Sequence, residues 1–162
     1  MKDKLLTLNV NKQEYEVKVQ PTVTLADVLR EELGLIGTKL MCNEGECGAC
    51  TVLINGKPVL SCMTLAIECE DKEIITIEGL ADPATGNLHP IQQAFVNKSG
   101  MQCGVCTPGM ILSAKALIEA NPNPSEDDIR NALSGNLCRC GNYLRITECV
   151  QDAAKAMQEG GK

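Results

Sequence analysis

Eight of the ten cysteines in this 162-residue chain fall into two groups of four. The first is Cys42, Cys47, Cys50 and Cys62, in Cys-Asn-Glu-Gly-Glu-Cys-Gly-Ala-Cys and a later Ser-Cys. The second is Cys103 and Cys106, in Gln-Cys-Gly-Val-Cys-Thr-Pro-Gly, with Cys138 and Cys140, in Asn-Leu-Cys-Arg-Cys-Gly. Thiolates are soft ligands that favour zinc, Cu(I) and iron–sulfur clusters over hard ions. A four-residue gap, a two-residue gap and a separate fourth cysteine is the ligand spacing of plant-type [2Fe–2S] sites. Zinc is the competing reading, but structural Cys₄ zinc sites use two pairs, each with a gap of roughly 2–4 residues. Cys103 and Cys106 fit half of that pattern; a Cys-x-Cys second pair does not. Two clusters on one short chain predict a relay for single electrons.

The residues around the thiols suit that chemistry. Gly45 and Gly48 let the backbone wrap closely and aim N–H groups at cluster sulfurs, and such hydrogen bonds help set a cluster's potential. Lys39 reads either as a cation that stabilises a reduced cluster or as a solvated surface charge. Arg139, between two ligands, reads as charge compensation or as a surface salt bridge or subunit contact. Cys69 and Cys149 lie outside both groups and are expected to be small buried hydrophobes. The single His89, beside Pro90, is expected to cap a helix or lie on the surface rather than bind metal. No nucleophile–base pair or carboxylate pair stands out, so no catalytic residue is assigned to this chain.

One Phe, two Tyr and no Trp cannot build a large aromatic core in either half. Chains of this kind draw extra stability from disulfides or metals. The N-terminal run has no apolar stretch of signal-peptide length, and nothing approaches the roughly 18 apolar residues that span a bilayer. A reducing, cytoplasmic setting, in which thiols stay free for metal, is therefore expected. The formal charge is −6, with Lys and Arg scattered. That argues against nucleic acid or an anionic membrane as partner.

The elements that must hold these thiols divide the chain into residues 1–78, a linker at 79–88 and residues 89–162. In the first part Leu6, Leu8 and Val10 alternate with polar residues, as do Tyr15, Val17 and Val19, which predicts a hairpin turning near Asn11-Lys12. Thr24 with Asp27 caps a helix carrying Leu25, Val28, Leu29 and Leu33, ended by Gly34. Asn55-Gly56 predicts a second hairpin between residues 51–54 and 58–60, and residues 74–77 a last strand. That order is the order of a β-grasp ferredoxin. The second part reads as four helices: residues 89–98; one capped by Thr107, with Pro108 in its first turn and Met110, Ile111, Ala114, Leu117 and Ile118 inward; one capped by Ser125 with Asp128; and residues 143–157, with Ile146, Cys149, Val150, Ala153 and Met157 inward. The predicted class is α+β: a β-grasp [2Fe–2S] ferredoxin-like domain, then a four-helix bundle with the second cysteine group at helix ends.

Taken in order, Cys42-Asn-Glu-Gly-Glu-Cys-Gly-Ala-Cys-Thr-Val, Ser61-Cys62, Gln102-Cys-Gly-Val-Cys-Thr-Pro-Gly and Gly135-Asn-Leu-Cys-Arg-Cys resemble the iron–sulfur subunit of the xanthine oxidase family of molybdenum hydroxylases. The resemblance covers nearly the whole chain. It implies a non-catalytic electron-transfer subunit carrying two [2Fe–2S] clusters. Its partners would be a large subunit with molybdopterin, in the cytosine dinucleotide form, and a medium subunit with FAD, in a heterotrimer or its dimer. It further implies that the cluster on Cys103, Cys106, Cys138 and Cys140 lies nearer the pterin and the one on Cys42, Cys47, Cys50 and Cys62 nearer the flavin. Gln102 and Cys140 match positions that contact the pyranopterin. The chain departs from the family pattern at Met41, commonly Gly, and at Gly141-Asn142, commonly Thr-Gly. The alternative is a free two-cluster ferredoxin-type carrier. The substrate is not written in this chain, because in such complexes its pocket belongs to another subunit.

Overall fold

The computed structural model describes residues 2–159. Asn11 and Lys12 both take positive φ, 54° and 65°, a two-residue turn whose twist suits a hairpin. It joins β1 (Lys4–Val10) to β2 (Gln13–Val19), with Val10 opposite Gln13. Asn55 and Gly56, at 50° and 76°, do the same between β3 (Thr51–Ile54) and β4 (Lys57–Leu60). The strand β5 (Glu73–Ile75) lies between the hairpins, parallel to β1 and antiparallel to β3. The mixed sheet therefore runs β2-β1-β5-β3-β4.

Thr24 caps the first helix as its sequence signals: its hydroxyl accepts from the Asp27 N–H at 3.2 Å and donates to the Asp27 carboxylate at 2.7 Å. A regular helix does not follow. Three residues, α1 (Leu25–Asp27), widen into a π-helical turn over Val28–Glu32, in which the Leu33 N–H reaches the Val28 carbonyl at 3.0 Å. The expected Leu25, Val28 and Leu29 are still buried. The strand expected over residues 74–77 stops at Ile75. There the Asn11 side chain takes over the backbone, accepting from the Thr76 N–H and donating to its hydroxyl, both at 2.9 Å. The chain then turns through Ile77–Leu80.

Four helices follow: α2 (Pro90–Asn97), α3 (Thr107–Ala120), α4 (Glu126–Ala132) and α5 (Tyr143–Glu159). His89 is the cap of α2, its Nδ1 accepting from the Ile91 N–H at 3.3 Å. Ser125 and Asp128 form the expected capping box on α4. On α3 the cap is Cys106 rather than Thr107, so the helix starts directly from a candidate ligand.

Two apolar clusters fill the interior. One lies between the sheet and the first helix, around Leu6, Leu8, Leu29, Val52 and Ile74. The other gathers Phe95, Met110, Leu112, Ile129, Ile146 and Val150 from the four helices. All four residues of β3 are buried, because α3 packs on the strand's far side. Val52 and Ile54 point into the sheet cluster and Leu53 into the helical one. The molecule is thus α+β with a mixed sheet, and β3 is the joint between its halves.

Candidate metal centres

The approach to the first cysteine loop is fixed by charge on carbonyls and amides. The Arg30 guanidinium donates to the Thr38 carbonyl at 2.7 Å and the Ile36 carbonyl at 3.2 Å, and the Glu78 carboxylate accepts from the Gly37 N–H at 2.7 Å. Beyond it, Cys47, Cys50 and Cys62 are buried and Cys42 is half-buried. The Cys50 and Cys62 sulfurs are 3.3 Å apart, and the Cys42 and Cys47 thiols are hydrogen-bond neighbours. In the second group Cys106 pairs with Cys138, both buried, and Cys103 with Cys140, both exposed. All ten thiols are free.

Among the described residues no three His, Cys, Asp or Glu side chains converge on one point as a single ion would need. The eight thiols meet two by two instead. A tetrahedral zinc site would draw all four sulfurs to about 2.3 Å from one centre. Two thiol pairs per group suit a dinuclear cluster, in which each iron would take one pair.

The backbone supports anionic sulfur in the loops. The Glu44 N–H points at Cys42 Sγ from 3.4 Å. That donor, with the Cys47 amide and thiol and the Glu46 amide, lowers the Cys42 pKa to about 7. Burial opposes ionisation at Cys138, yet the N–H groups of Asn142, Cys140 and Gly141, with the Cys106 thiol, outweigh it and hold that thiol low. Elsewhere burial dominates, joined by the neighbouring thiol, and pushes Cys62 up to about 11 and Cys106 up to about 12. In the Cys106–Cys138 pair, therefore, Cys138 loses its proton more readily than its neighbour.

The two loops touch. The Leu137 N–H donates to the Cys47 carbonyl at 2.9 Å, and the Asn136 side chain donates to the Gly48 carbonyl at 2.9 Å. Gly48 has φ +70°, and a Cβ there would sit 2.3 Å from the Gly135 carbonyl oxygen; a Cβ on Gly109 of α3 would sit 2.4 Å from the Gly48 carbonyl oxygen. Only bare backbone allows this approach.

The remaining candidates have plain positions. Gln102 is exposed beside the second group, its amide 3.4 Å from Asn142 Oδ1. Lys39 donates to the Ile36 carbonyl at 2.8 Å. Arg139 is exposed and joins no ion pair among the described residues. Cys69 and Cys149 lie fully buried, one in each core. The turn at the altered Gly141-Asn142 survives, with Gly141 at φ +72° and the Asn142 carbonyl accepting from the Ile146 N–H in the first turn of α5. Sequence reasoning missed Asn136 and Tyr143, whose hydroxyl accepts from the Cys138 N–H at 2.8 Å. Their local signals, an Asn in a loop and a Tyr at a helix start, are too common to single out.

Paired thiols on two abutting loops, each followed by a rigid element, define a two-centre iron–sulfur protein. Known proteins agree. The family described as "2Fe-2S iron-sulfur cluster binding domain" matches residues 6–99, and that described as "[2Fe-2S] binding domain" matches residues 76–151. The chain is similar to the nicotinate dehydrogenase small FeS subunit of Eubacterium barkeri, 46% identical over 93% of this chain and 94% of that one. It is similar to the nicotine 6-hydroxylase small subunit of Paenarthrobacter nicotinovorans, 47% identical over 91% of this chain and 88% of that one. Its fold is similar to a chain in the crystal structure of quinoline 2-oxidoreductase from Pseudomonas putida 86, with TM-score 0.92, 40% identity and 99% of each chain covered. The chain belongs to the iron–sulfur small-subunit family of the xanthine oxidase-type molybdenum hydroxylases. It is a non-catalytic electron-transfer subunit of a molybdopterin-dependent oxidoreductase. Among the described residues no helix is long and apolar enough to cross a membrane.

Proposed function

We propose that Cys42, Cys47, Cys50 and Cys62 hold one [2Fe–2S] cluster and Cys103, Cys106, Cys138 and Cys140 the other, each iron taking one of the thiol pairs. When bound, each cluster accepts and releases a single electron. The chain's own residues hold the two centres at a fixed separation, surround their sulfurs with N–H donors and exclude water from their inner edges. Residues 1–78 act as a β-grasp ferredoxin-like unit, 79–88 as the linker and 89–162 as a four-helix bundle. Gln102 and Cys140 contact the pyranopterin, in its cytosine dinucleotide form, of a large molybdenum subunit. The Cys42 side of the first group faces the FAD of a medium subunit, in a cytoplasmic heterotrimer or its dimer. With the clusters bound, the second group would take up electrons from an oxidative reaction and the first would pass them on toward the flavin.

The observation that carries this reading is the hydrogen bond from the Leu137 N–H to the Cys47 carbonyl, which links the inner edges of the two groups directly. Exposure supports the outer edges as docking sites. Met101, Leu137, Tyr143 and Leu144 are exposed around the second group, and Ile36, Met41 and Met63 around the first. Apolar side chains clustered in this way mark surfaces covered by partners, which favours a docked subunit over a free carrier. The similar relatives are named for nicotinate and nicotine, in keeping with a subunit that does not touch substrate. The test is metal and cofactor analysis of the purified complex, with electron paramagnetic resonance after reduction. Four irons and four sulfides per chain, two resolvable signals, and molybdenum and FAD on co-purifying chains are expected. A single cluster per chain, or zinc without labile sulfide, overturns the assignment.

A further inference from the structure

We propose that Asn136 is a positioning residue that locks the two cysteine loops in one register and thereby sets the coupling between their redox centres. The inference rests on the two-cluster reading above. Asn136 is 4% exposed, and its partners Thr51 and Ser113 are 4% and 5% exposed. Its side-chain amide reaches three elements at once. Nδ2 donates to the Gly48 carbonyl at 2.9 Å and lies 3.4 Å from the Thr51 hydroxyl, while Oδ1 accepts from the Ser113 hydroxyl of α3 at 2.9 Å.

The polarity of this network admits one residue type. The Thr51 hydroxyl spends its own proton on the Gly48 carbonyl, at 2.8 Å. It therefore meets Asn136 with a lone pair, and the Gly48 carbonyl is itself an acceptor. Both face Asn136 as acceptors, which an amide NH₂ can meet and a carboxylate cannot. On the other side Ser113 needs an acceptor, which the amide oxygen supplies. Aspartate would set a carboxylate against two acceptors, and leucine would leave the buried Ser113 hydroxyl without its partner.

The lever arms are short. Gly48 follows Cys47, and Asn136 lies two residues before Cys138, with Leu137 between them bonded to the Cys47 carbonyl. A shift at the clamp therefore passes directly to the inner thiol of each group. Electron tunnelling falls exponentially with separation, and the magnetic interaction between two reduced clusters falls with its cube. A three-way amide clamp has one register.

The test uses the intact complex carrying Asn136→Asp, Asn136→Leu or the milder Ser113→Ala, which removes only the hydroxyl that orients the amide. Iron and sulfide per chain are measured first. The splitting between the two reduced clusters is then read by low-temperature paramagnetic resonance, and transfer between them by rapid mixing. Expected are an unchanged iron content, retained individual signals, a diminished splitting and slower transfer, with faster exchange of the Leu137 amide proton. Full iron with an unaltered splitting and rate in the Asn136 variants overturns the proposal. If those variants lose iron, Ser113→Ala decides: a reduced splitting supports the clamp and an unchanged one refutes it. Absence of two clusters in the parent complex would instead sink the underlying reading.

Discussion

Replacing Gly48 by alanine is expected to separate the two cysteine loops, and its size follows from three distances. The backbone at φ +70° is left-handed, which costs an L-residue with a side chain about 1–2 kcal/mol. The new Cβ would meet the Gly135 carbonyl oxygen at 2.3 Å and Asn136 Nδ2 at 2.6 Å. Ordinary van der Waals contact needs about 1 Å more. The loops must part by roughly that much, which stretches the 2.9 Å bonds from Leu137 to the Cys47 carbonyl and from Asn136 to the Gly48 carbonyl past bonding range. Each of the two stretched bonds leaves a group unpaired at about 1–3 kcal/mol, so the total is about 3–8 kcal/mol, a large share of a typical domain's stability. Gly56→Ala is the internal control, since Gly56 has φ +76° but nothing within 4 Å of its Cβ; it carries only the backbone cost. For a chain of this size 1 kcal/mol moves the melting temperature by about 2–4 °C. Gly48→Ala should therefore melt and bleach roughly 6–30 °C below the parent and Gly56→Ala within about 8 °C, in scans at one heating rate. Equal shifts for the two variants would refute the close approach of the loops.

Other expectations follow from the same geometry. Cys106→Ser should halve the iron per chain while Cys69→Ser leaves it unchanged, and bleaching by Cys69→Ser would show that the ligand partition is wrong. Phe95, the single Phe, is fully buried in the helical core, so Phe95→Ala should destabilise by about 3–5 kcal/mol, measurable by denaturant unfolding. Burial, then the charges of Asp152 and Glu148, push the Cys149 thiol up from 9.0 to about 11. A pKa raised on folding gives stability that is intact below pH 9 and lost as pH rises toward 11. The fall in unfolding midpoint between about pH 8 and about pH 10.5 should accordingly be shallower in Cys149→Ala than in the parent, and parallel curves would contradict the buried thiol.

Much of this molecule was legible in its residues because the signals are local. Asn11-Lys12 and Asn55-Gly56 turn hairpins through positive φ at adjacent positions, and Ser125 with Asp128 closes a box within four residues. Cysteine spacing is local too, apart from Cys62 and the second pair of the second group. What escaped depends on distant partners. The strand at Ile74 and Ile75 ends because of Asn11, 65 residues away from Thr76. The widened turn over Val28–Glu32 keeps the same apolar residues inward as a regular helix would, so periodicity alone cannot reveal it. Asn136 reads as an ordinary turn residue until Gly48, 88 residues earlier, is brought against it. The unbroken burial of Thr51–Ile54 was hinted at by its apolar run, since strands covered on both faces lose their alternation.

The two groups share one construction that explains how so small a chain can hold two centres at a set distance. In each, a rigid element begins immediately after a buried cysteine: β3 starts at Thr51, after Cys50, and α3 at Thr107, after Cys106. These two elements pack directly on each other, with Leu53 entering the helical core. Side chains in close-packed cores interdigitate and do not slide freely. The core therefore brings the two thiol-bearing loops against each other, and the contacts between the loops set the final spacing of their inner thiols. The apolar contact of β3 with α3 holds the two elements together, and the polar contacts at Gly48, Asn136 and Leu137 fix the register and final spacing of the loops. This division of roles explains why the joint is polar and glycine-lined beside the thiols but aliphatic behind them. Changes in the aliphatic part should alter stability with little effect on coupling between the centres, whereas changes in the polar part should alter both.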